Sequence, residues 1–180
     1  MTEPMDHIDR VAVVKDYAER YGIRSFIETG TAEGFMVSYV LDTFDMITTI
    51  ELSEQLYLNA KERFQPWPNV SCVHGDSAEW LPKLVPMYEF PILFWLDGHY
   101  SGGNTARGEI DTPIRAELEA AIKAPKGSVI LIDDMRLFGG MEDHTIEFKD
   151  YPHVDWIRQF VWFYDFDFTV KDDIGRCTPR

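Results

Sequence analysis

The sequence predicts an α/β fold built as a single domain around a doubly wound, mostly parallel sheet. Short apolar runs that indicate strands alternate with helical patterns, as in parallel sheets covered by helices on both faces. One run, 91–96, is apolar throughout, which is typical of a strand buried on both faces. The length of 180 residues suits one domain with a continuous core.

The individual elements follow from hydrophobic spacing and from the residues that begin and end helices. Gly22 ends the first helical pattern, Ser53 precedes the third, and Thr112 with Pro113 precedes the fifth. We predict helices at 6–21, 35–43, 53–64, a short segment ending near 84, 112–123, and from 150 or 152 to 163. We predict strands at 24–27, 46–50, 69–73, 91–96, 127–132 and 166–171, with a short seventh strand near 176–178.

Composition excludes several classes of protein. The formal net charge of −14 would repel a phosphate backbone, so we expect no nucleic-acid partner. We find neither an apolar run long enough to span a bilayer nor a signal-peptide pattern, so we expect no membrane association and a cytoplasmic location. The two cysteines, Cys72 and Cys177, suggest neither a disulfide framework nor a thiolate zinc site.

The stretch from Phe26 to Gly34 is the most informative part of the chain. A strand ends in Glu28, and Gly30 and Gly34 then lead into a helix. Glycine allows the backbone to approach a ligand closely, and the start of a helix offers free N–H groups. A tight turn without a ligand is an equally good interpretation of this stretch alone, since a lone Gly-rich turn is weak evidence.

Acidic side chains follow each of the first five predicted strands. The carboxyl ends of parallel strands lie along one edge of the sheet, so these carboxylates should lie together. Each one alone is best interpreted as a helix cap or turn residue. Taken together they would repel one another unless a cation or a ligand rich in donors lay among them. The set consists of Glu28, Glu51, Asp76, Asp97, Asp133 and Asp134.

This spacing resembles the class I S-adenosylmethionine-dependent methyltransferases, over about residues 24–138. The turn Glu28-x-Gly30-x-Ala32-x-Gly34 resembles the family's first motif, with Ala32 in place of the usual middle glycine. The resemblance implies a Rossmann-like fold with an N-terminal helix (1–22), a cofactor-binding core (23–138) and a C-terminal helix with strands (139–180). It implies that Glu51 takes the ribose hydroxyls and Asp76 the adenine amino group. The implied cofactor-binding residues are Glu28, Gly30, Thr31, Gly34, Glu51, Asp76, Ser77 and Asp97.

A narrower resemblance concerns Asp97, Asp133 and Asp134. Their placement after the fourth and fifth strands is similar to the metal site of Mg-dependent small-molecule O-methyltransferases of the macrocin and catechol type. The resemblance implies Mg²⁺ or another divalent cation, held by hard oxygen ligands, that would lower the pKa of a bound hydroxyl. The alternative is a metal-free site in which Asp134 caps the next segment and Asp97 faces the cofactor.

Candidate catalytic and substrate residues lie next to this cluster. His99, two residues beyond Asp97, could act as general base because imidazole titrates near neutrality, or could shape the pocket. The Gly-rich loop 101–111 has the length of a substrate lid, and an ordinary surface excursion is the alternative. The candidate substrate contacts are Tyr100, Arg107 and Arg136, and pairing with surface acids is an equally good interpretation of either arginine.

The expected activity is O-methylation of a small hydroxylated molecule. The sequence does not decide between a monomer and a homodimer. The family usually ends in an antiparallel pair of strands, and the short polar tail 176–180 departs from that pattern. A nicotinamide oxidoreductase is the nearest alternative, but its G-x-G-x-x-G fingerprint is missing from the turn. A cofactor-binding protein without catalysis is the other.

The assignment of His99 as general base leads to the first prediction. If His99 accepts the substrate proton, His99→Ala should lower turnover by about 10²–10⁴. The affinity for S-adenosylmethionine should not change, because the imidazole is not assigned to cofactor binding. Steady-state kinetics combined with calorimetry would test both parts. Equal turnover in the wild type and the variant would remove His99 from the chemistry.

Overall fold

The computed structural model describes residues 7–98, 112–140 and 150–180. A seven-stranded sheet with strand order β3-β2-β1-β4-β5-β7-β6 forms its centre. The strands are β1 Ser25–Thr29, β2 Met46–Glu51, β3 Val70–His74, β4 Ile92–Leu96, β5 Val129–Ile132, β6 Phe166–Lys171 and β7 Ile174–Pro179. The helices are α1 His7–Tyr21, α2 Phe35–Val40, α3 Glu54–Phe64, α4 Ser77–Leu84, α5 Ile114–Ala121 and α6 Val154–Phe163. The predicted doubly wound, mostly parallel sheet is confirmed.

Helices cover both faces of the sheet, and the core therefore has two layers. The layer on one face receives side chains from the first three helices, including Val14, Val37 and Phe64. The layer on the other face receives side chains from the last three, including Leu81, Leu118 and Ile157. β4 supplies both layers and is buried along its whole length, which explains why its sequence is apolar without alternation.

The predicted caps largely form. Gly22 has φ 64°, and the N–H groups of Gly22 and Ile23 donate to Glu19 and Ala18, which is the Schellman arrangement at the end of α1. The Ser53 hydroxyl accepts from the Leu56 N–H at the start of α3. The Thr112 hydroxyl accepts from the Ile114 N–H, although α5 itself begins at Ile114.

The C-terminal strand pair corrects the expectation that the tail departs from the family. β7 lies between β5 and β6 and pairs antiparallel with both. Asp172 and Asp173 join β6 to β7 with φ of 52° and 58°, the backbone of a tight type I′ hairpin. The polar sequence of β7 gave only a weak strand signal. In the structure Arg176 is nevertheless buried, because its guanidinium donates to the backbone carbonyls of Lys171 and Ile174.

The strand register places the candidate site. Thr29 pairs with Ile50 on β2 and with Leu96 on β4, and Leu96 pairs with Ile132 on β5. These four residues form one row across the sheet. The next residue on each strand therefore begins a second row at the carboxyl edge, made of Gly30, Glu51, Asp97 and Asp133. Within the described ranges, no helix is long and apolar enough to cross a membrane.

The close approach of β1 and β4 at this edge predicts different costs for two glycine substitutions. Both Gly22 and Gly30 have left-handed backbone, with φ of 64° and 80°. A Cβ at Gly22 would meet nothing within 4 Å, whereas a Cβ at Gly30 would clash with the Asp97 carbonyl oxygen. Gly22→Ala should therefore cost only the backbone strain, about 1–2 kcal/mol. Gly30→Ala should cost clearly more in urea unfolding, and equal losses would contradict this account.

Candidate active site

The turn after β1 is held in a strained backbone conformation. Ala32 has φ 45°, in the left-handed region that glycine favours, and Gly34 has φ 70°. The Gly34 N–H donates to the Thr31 carbonyl at 2.7 Å, which closes the turn before α2 begins. Ala32 stands at the middle glycine position of the motif that this turn resembles. Its positive φ explains why glycine is usual at that position.

Glu51 ends β2 with a carboxylate fixed by two backbone donors. The Ala32 N–H donates to Oε2 and the Ser53 N–H donates to Oε1, both at 2.8 Å. Glu51 is buried, and these two bonds orient the carboxylate and offset its desolvation. A carboxylate has about four lone-pair directions, so each oxygen keeps acceptor capacity for a ligand hydroxyl.

Glu28 lies inside the sheet beside this turn. Its Oε2 accepts from the Thr49 hydroxyl, and the Thr49 oxygen is 2.5 Å from the Thr31 hydroxyl. Burial raises the pKa of Glu28 well above its ordinary value, the negative charges of Asp97 and Glu51 raise it further, and the Thr49 bond opposes both. Ionised Glu28 therefore needs positive charge nearby.

Thr29 ties the end of β4 to the end of β1. Its hydroxyl accepts from the N–H groups of Asp97 and Gly98, at 3.2 and 3.1 Å. Asp97 is half-buried and follows the last residue of β4. The position of Asp97 in the site is thus fixed by its backbone.

Asp76 and Ser77 begin α4. Asp76 is the N-cap, and its Oδ1 accepts from the Ala78 N–H at 2.8 Å. The Ser77 hydroxyl donates to Oε1 of Glu117 on α5 at 2.6 Å, and both residues are buried. Asp76 therefore has the capping role that its residue type alone predicts, and this role leaves its second oxygen available as an acceptor. Ser77 links two helices through its side chain.

Asp133 and Asp134 follow β5 and are bound by two arginines. The Arg10 Nε from α1 donates to both oxygens of Asp133 at 2.8 and 2.7 Å, and its Nη2 donates to Asp134 Oδ1 at 3.1 Å. Arg136 donates to Asp134 and to Asp173. Burial raises the pKa of Asp133, Asp134 adds to this effect, and the Arg10 guanidinium opposes it.

These arginine contacts involve two of the three acids in the metal site predicted from the sequence. Among residues 7–98, 112–140 and 150–180, no group of three or more His, Cys, Asp or Glu side chains is placed to hold a metal ion. Both oxygens of Asp133 and Oδ1 of Asp134 instead accept bonds from Arg10. As placed here, Asp97, Asp133 and Asp134 do not fit a divalent cation.

Several site residues were missed by the sequence interpretation, and some predicted ones cannot be placed. Arg10 was missed, although a charged residue on the apolar face of a helix was a signal for it: it shares that face with Val11, Val14 and Ala18. Glu117 carried the same signal, because it shares the apolar face of α5 with Ile114 and Ala121, whereas Thr29 carried none. His99, Tyr100, Arg107, the loop 101–111 and the part of the later loop at 141–149 lie outside the described residues.

Comparisons with known proteins concern the fold. Neither models of protein families nor curated proteins match this sequence. Solved structures do match over almost the whole chain. A candidate caffeoyl-CoA O-methyltransferase from Staphylococcus aureus superposes with TM-score 0.69 at 13% identity, covering 98% of this chain and 85% of that one.

Two further structures contain cofactor or its product. The O-methyltransferase TomG from Streptomyces achromogenes, in complex with S-adenosylmethionine, has TM-score 0.68 at 16% identity and covers 100% and 84% of the two chains. An O-methyltransferase from Bacillus cereus in complex with S-adenosylhomocysteine has TM-score 0.66 at 17% identity and covers 98% and 83%. This chain has the class I methyltransferase fold. Within that fold, the row of Gly30, Glu51, Asp97 and Asp133 lies at the carboxyl edge of the parallel strands, where α/β sheets bind ligands.

The raised pKa of Glu28 predicts how stability depends on pH. The folded protein keeps a proton on Glu28 at pH values where the unfolded chain, with a pKa near 4.5, has released it. This contribution to stability is fully present below about pH 4.5 and is lost as the pH rises through the folded pKa. Glu28→Gln, which keeps an acceptor for Thr49, should therefore gain stability relative to the wild type as the pH rises.

Urea unfolding of the ligand-free proteins from about pH 5 to about pH 8 would measure this difference. Each unit of pKa shift corresponds to about 1.4 kcal/mol. A difference in unfolding free energy that stays constant over this range would refute the raised pKa.

Proposed function

We propose that this protein transfers the methyl group of S-adenosylmethionine to a hydroxyl oxygen of a small molecule. The observation that carries the proposal is the carboxylate of Glu51, held by the Ala32 and Ser53 N–H groups beside the turn from Gly30 to Gly34. This arrangement occurs in a chain whose fold superposes on the O-methyltransferases described above. Two fixed acceptor oxygens at this position suit two adjacent hydroxyl donors of a ribose.

The remaining donors and acceptors suit the other parts of the cofactor. In this proposal the second oxygen of Asp76, at the start of α4, accepts from the adenine amino group. Asp97 supplies negative potential at the end of β4, which favours a positively charged cofactor over a neutral one, and a bound positive charge would in turn favour ionisation of Glu28 beside it. The turn from Gly30 to Gly34 gives the methionine part access to the backbone.

Methyl transfer requires mainly that the substrate oxygen be positioned in line with the methyl group and the sulfur. The substrate oxygen attacks the methyl carbon in line with the departing sulfur, and the hydroxyl proton must leave. In our proposal His99 takes this proton and Asp97, whose backbone is fixed by Thr29, lies beside the reacting groups. No step is assigned to a metal, because Arg10 already binds the carboxylates that a metal would need.

The substrate pocket is proposed to form from the loops after β4 and β5 and from α1. Arg136, about two-fifths exposed and bound to Asp134 and Asp173, could still present one side of its guanidinium to an anionic substrate group. We propose Tyr100 and Arg107 as the further substrate contacts. The charge of −14 favours a small molecule over a nucleic acid.

Titration calorimetry with S-adenosylmethionine, S-adenosylhomocysteine and NAD is the first test. The proposal expects binding of both sulfur compounds and none of NAD. Transfer of radiolabelled methyl groups to small molecules of a cell extract would then separate an enzyme from a cofactor-binding protein. Binding of NAD alone would overturn the assignment in favour of an oxidoreductase.

The role of Glu51 can be tested by substitution. Glu51→Ala should weaken S-adenosylmethionine binding by about 1.5–3 kcal/mol, because charge-assisted hydrogen bonds to the ribose are lost. Glu62→Ala, at an exposed position of α3, is the matched control and should bind as the wild type does. Circular dichroism would show that both variants are folded. Unchanged affinity in folded Glu51→Ala would disprove the ribose assignment.

A further inference from the structure

Arg10 reaches from the first helix to the carboxyl edge of the sheet, 123 positions earlier in the chain than its partner Asp133. Its side chain is 10% exposed, and that of Asp133 is 5% exposed. The Nε hydrogen is shared by the two Asp133 oxygens, and Nη2 bonds Asp134. Arg10 is therefore built into the site and is not a surface side chain that happens to lie near it.

A second arginine adds positive charge at this edge. The Arg136 guanidinium donates to Asp134 and Asp173, and the Arg136 backbone N–H donates to Asp173 Oδ1 at 2.6 Å. Arg10 Nη2 lies 4.0 Å from Asp173 Oδ2, and the charge of Asp97 also acts on Arg10. Two guanidinium groups are thus placed among Asp97, Asp133, Asp134 and Asp173, in reach of the charge of each acid.

A guanidinium and a divalent cation compete for these oxygens, because each needs the negative charge that the other one offsets. Mg²⁺ or Ca²⁺ requires direct oxygen contacts at about 2.0–2.6 Å and would repel a nearby positive charge. Arginine keeps its charge at all ordinary pH values, so the competition does not relax when the pH changes. Burial disfavours the charge of Arg10, but Asp133 and Asp134 outweigh this effect and the pKa of Arg10 is raised.

We infer that Arg10 is the resident cation of this site and takes the place of a divalent metal. It is a positioning residue: it holds Asp133 and Asp134 in place and fixes α1 against the end of β5. The inference deepens the proposed function, since it makes the methyl transfer of this chain independent of added metal. It also predicts that removal of Arg10 exposes a set of carboxylates able to bind a divalent ion.

The test is thermal unfolding of chelator-treated protein with and without Mg²⁺, Mn²⁺ or Ca²⁺. The wild-type melting temperature should be the same in all conditions. Arg10→Met should melt lower in chelator and should be raised by about 5–10 °C by at least one of the ions, since an ion that binds only the folded state stabilises it. Arg10→Lys, which keeps the positive charge, should gain little from any ion.

Arg20→Met is the matched control on the same helix. Arg20 is more than half exposed and pairs with Asp16 in the adjacent turn, so this variant should melt close to the wild type and should not respond to ions. Asp134→Asn added to Arg10→Met should abolish the ion-dependent rise. This second step separates binding at the exposed carboxylates from binding elsewhere on an acidic surface.

If Arg10→Met does not fold, measurements on the wild-type protein still test whether Arg10 takes the place of a metal. Calorimetric titration of wild-type protein with Mn²⁺ should show no binding that Asp134→Asn removes. An ion-dependent rise in wild-type melting temperature, lost in Asp134→Asn, would overturn the inference and restore the metal site predicted from the sequence. These measurements do not use methyl transfer, so a failure of the proposed enzymatic activity would be seen separately, as absent transfer or absent binding of S-adenosylmethionine.

Discussion

Buried carboxylates at the carboxyl edge of the sheet impose the strongest constraint on this molecule. An ionised carboxylate that leaves water needs hydrogen-bond donors or positive charge, since the penalty otherwise exceeds the net stability of a domain. The structure meets this demand differently at each position. Glu51 receives two backbone N–H groups, Asp133 receives Arg10, and Glu28 receives a hydroxyl while its pKa rises.

These different solutions divide the edge into two parts. Adjacent strands are about 4.8 Å apart, so Glu51 on β2 and Asp133 after β5 are separated by about 14 Å across the intervening β1 and β4. The part near Glu51 is held by neutral donors and keeps its acceptor capacity for a ligand. The carboxylates near Asp133 are bound within the protein by the positive charge of Arg10. The strand order reverses between β1 and β4, and the crevice at that point lies between the two parts.

The sequence predicted the elements whose cause is local. Helix ends at Gly22 and Ser53 followed from residue type, and the buried β4 followed from an unbroken apolar run. The placement of Glu51, Asp97 and Asp133 in one row followed from the parallel topology, because strand ends in such a sheet share an edge. These are properties of short segments or of the general architecture.

Contacts between distant parts of the chain could not be predicted in the same way. Arg10 meets Asp133 only because α1 packs across the sheet, and no local pattern states which acid it will meet. The length of β7 was underestimated because its sequence is polar. Arg176 can be buried there only because the folded hairpin supplies backbone carbonyls that accept from its guanidinium. The pairing of Ser77 with Glu117 likewise requires α4 and α5 to lie side by side.

The central claim is that the edge from Gly30 to Asp76 binds S-adenosylmethionine. A crystal structure of the protein with S-adenosylhomocysteine would test it most directly. The account predicts that the ribose hydroxyls lie within hydrogen-bond distance of the Glu51 oxygens, with the adenine amino group near Asp76 and the sulfur beside the ends of β1 and β4. S-adenosylhomocysteine bound away from Glu51 would contradict it. So would a crystal grown with saturating S-adenosylhomocysteine that shows no ligand at this edge of the sheet.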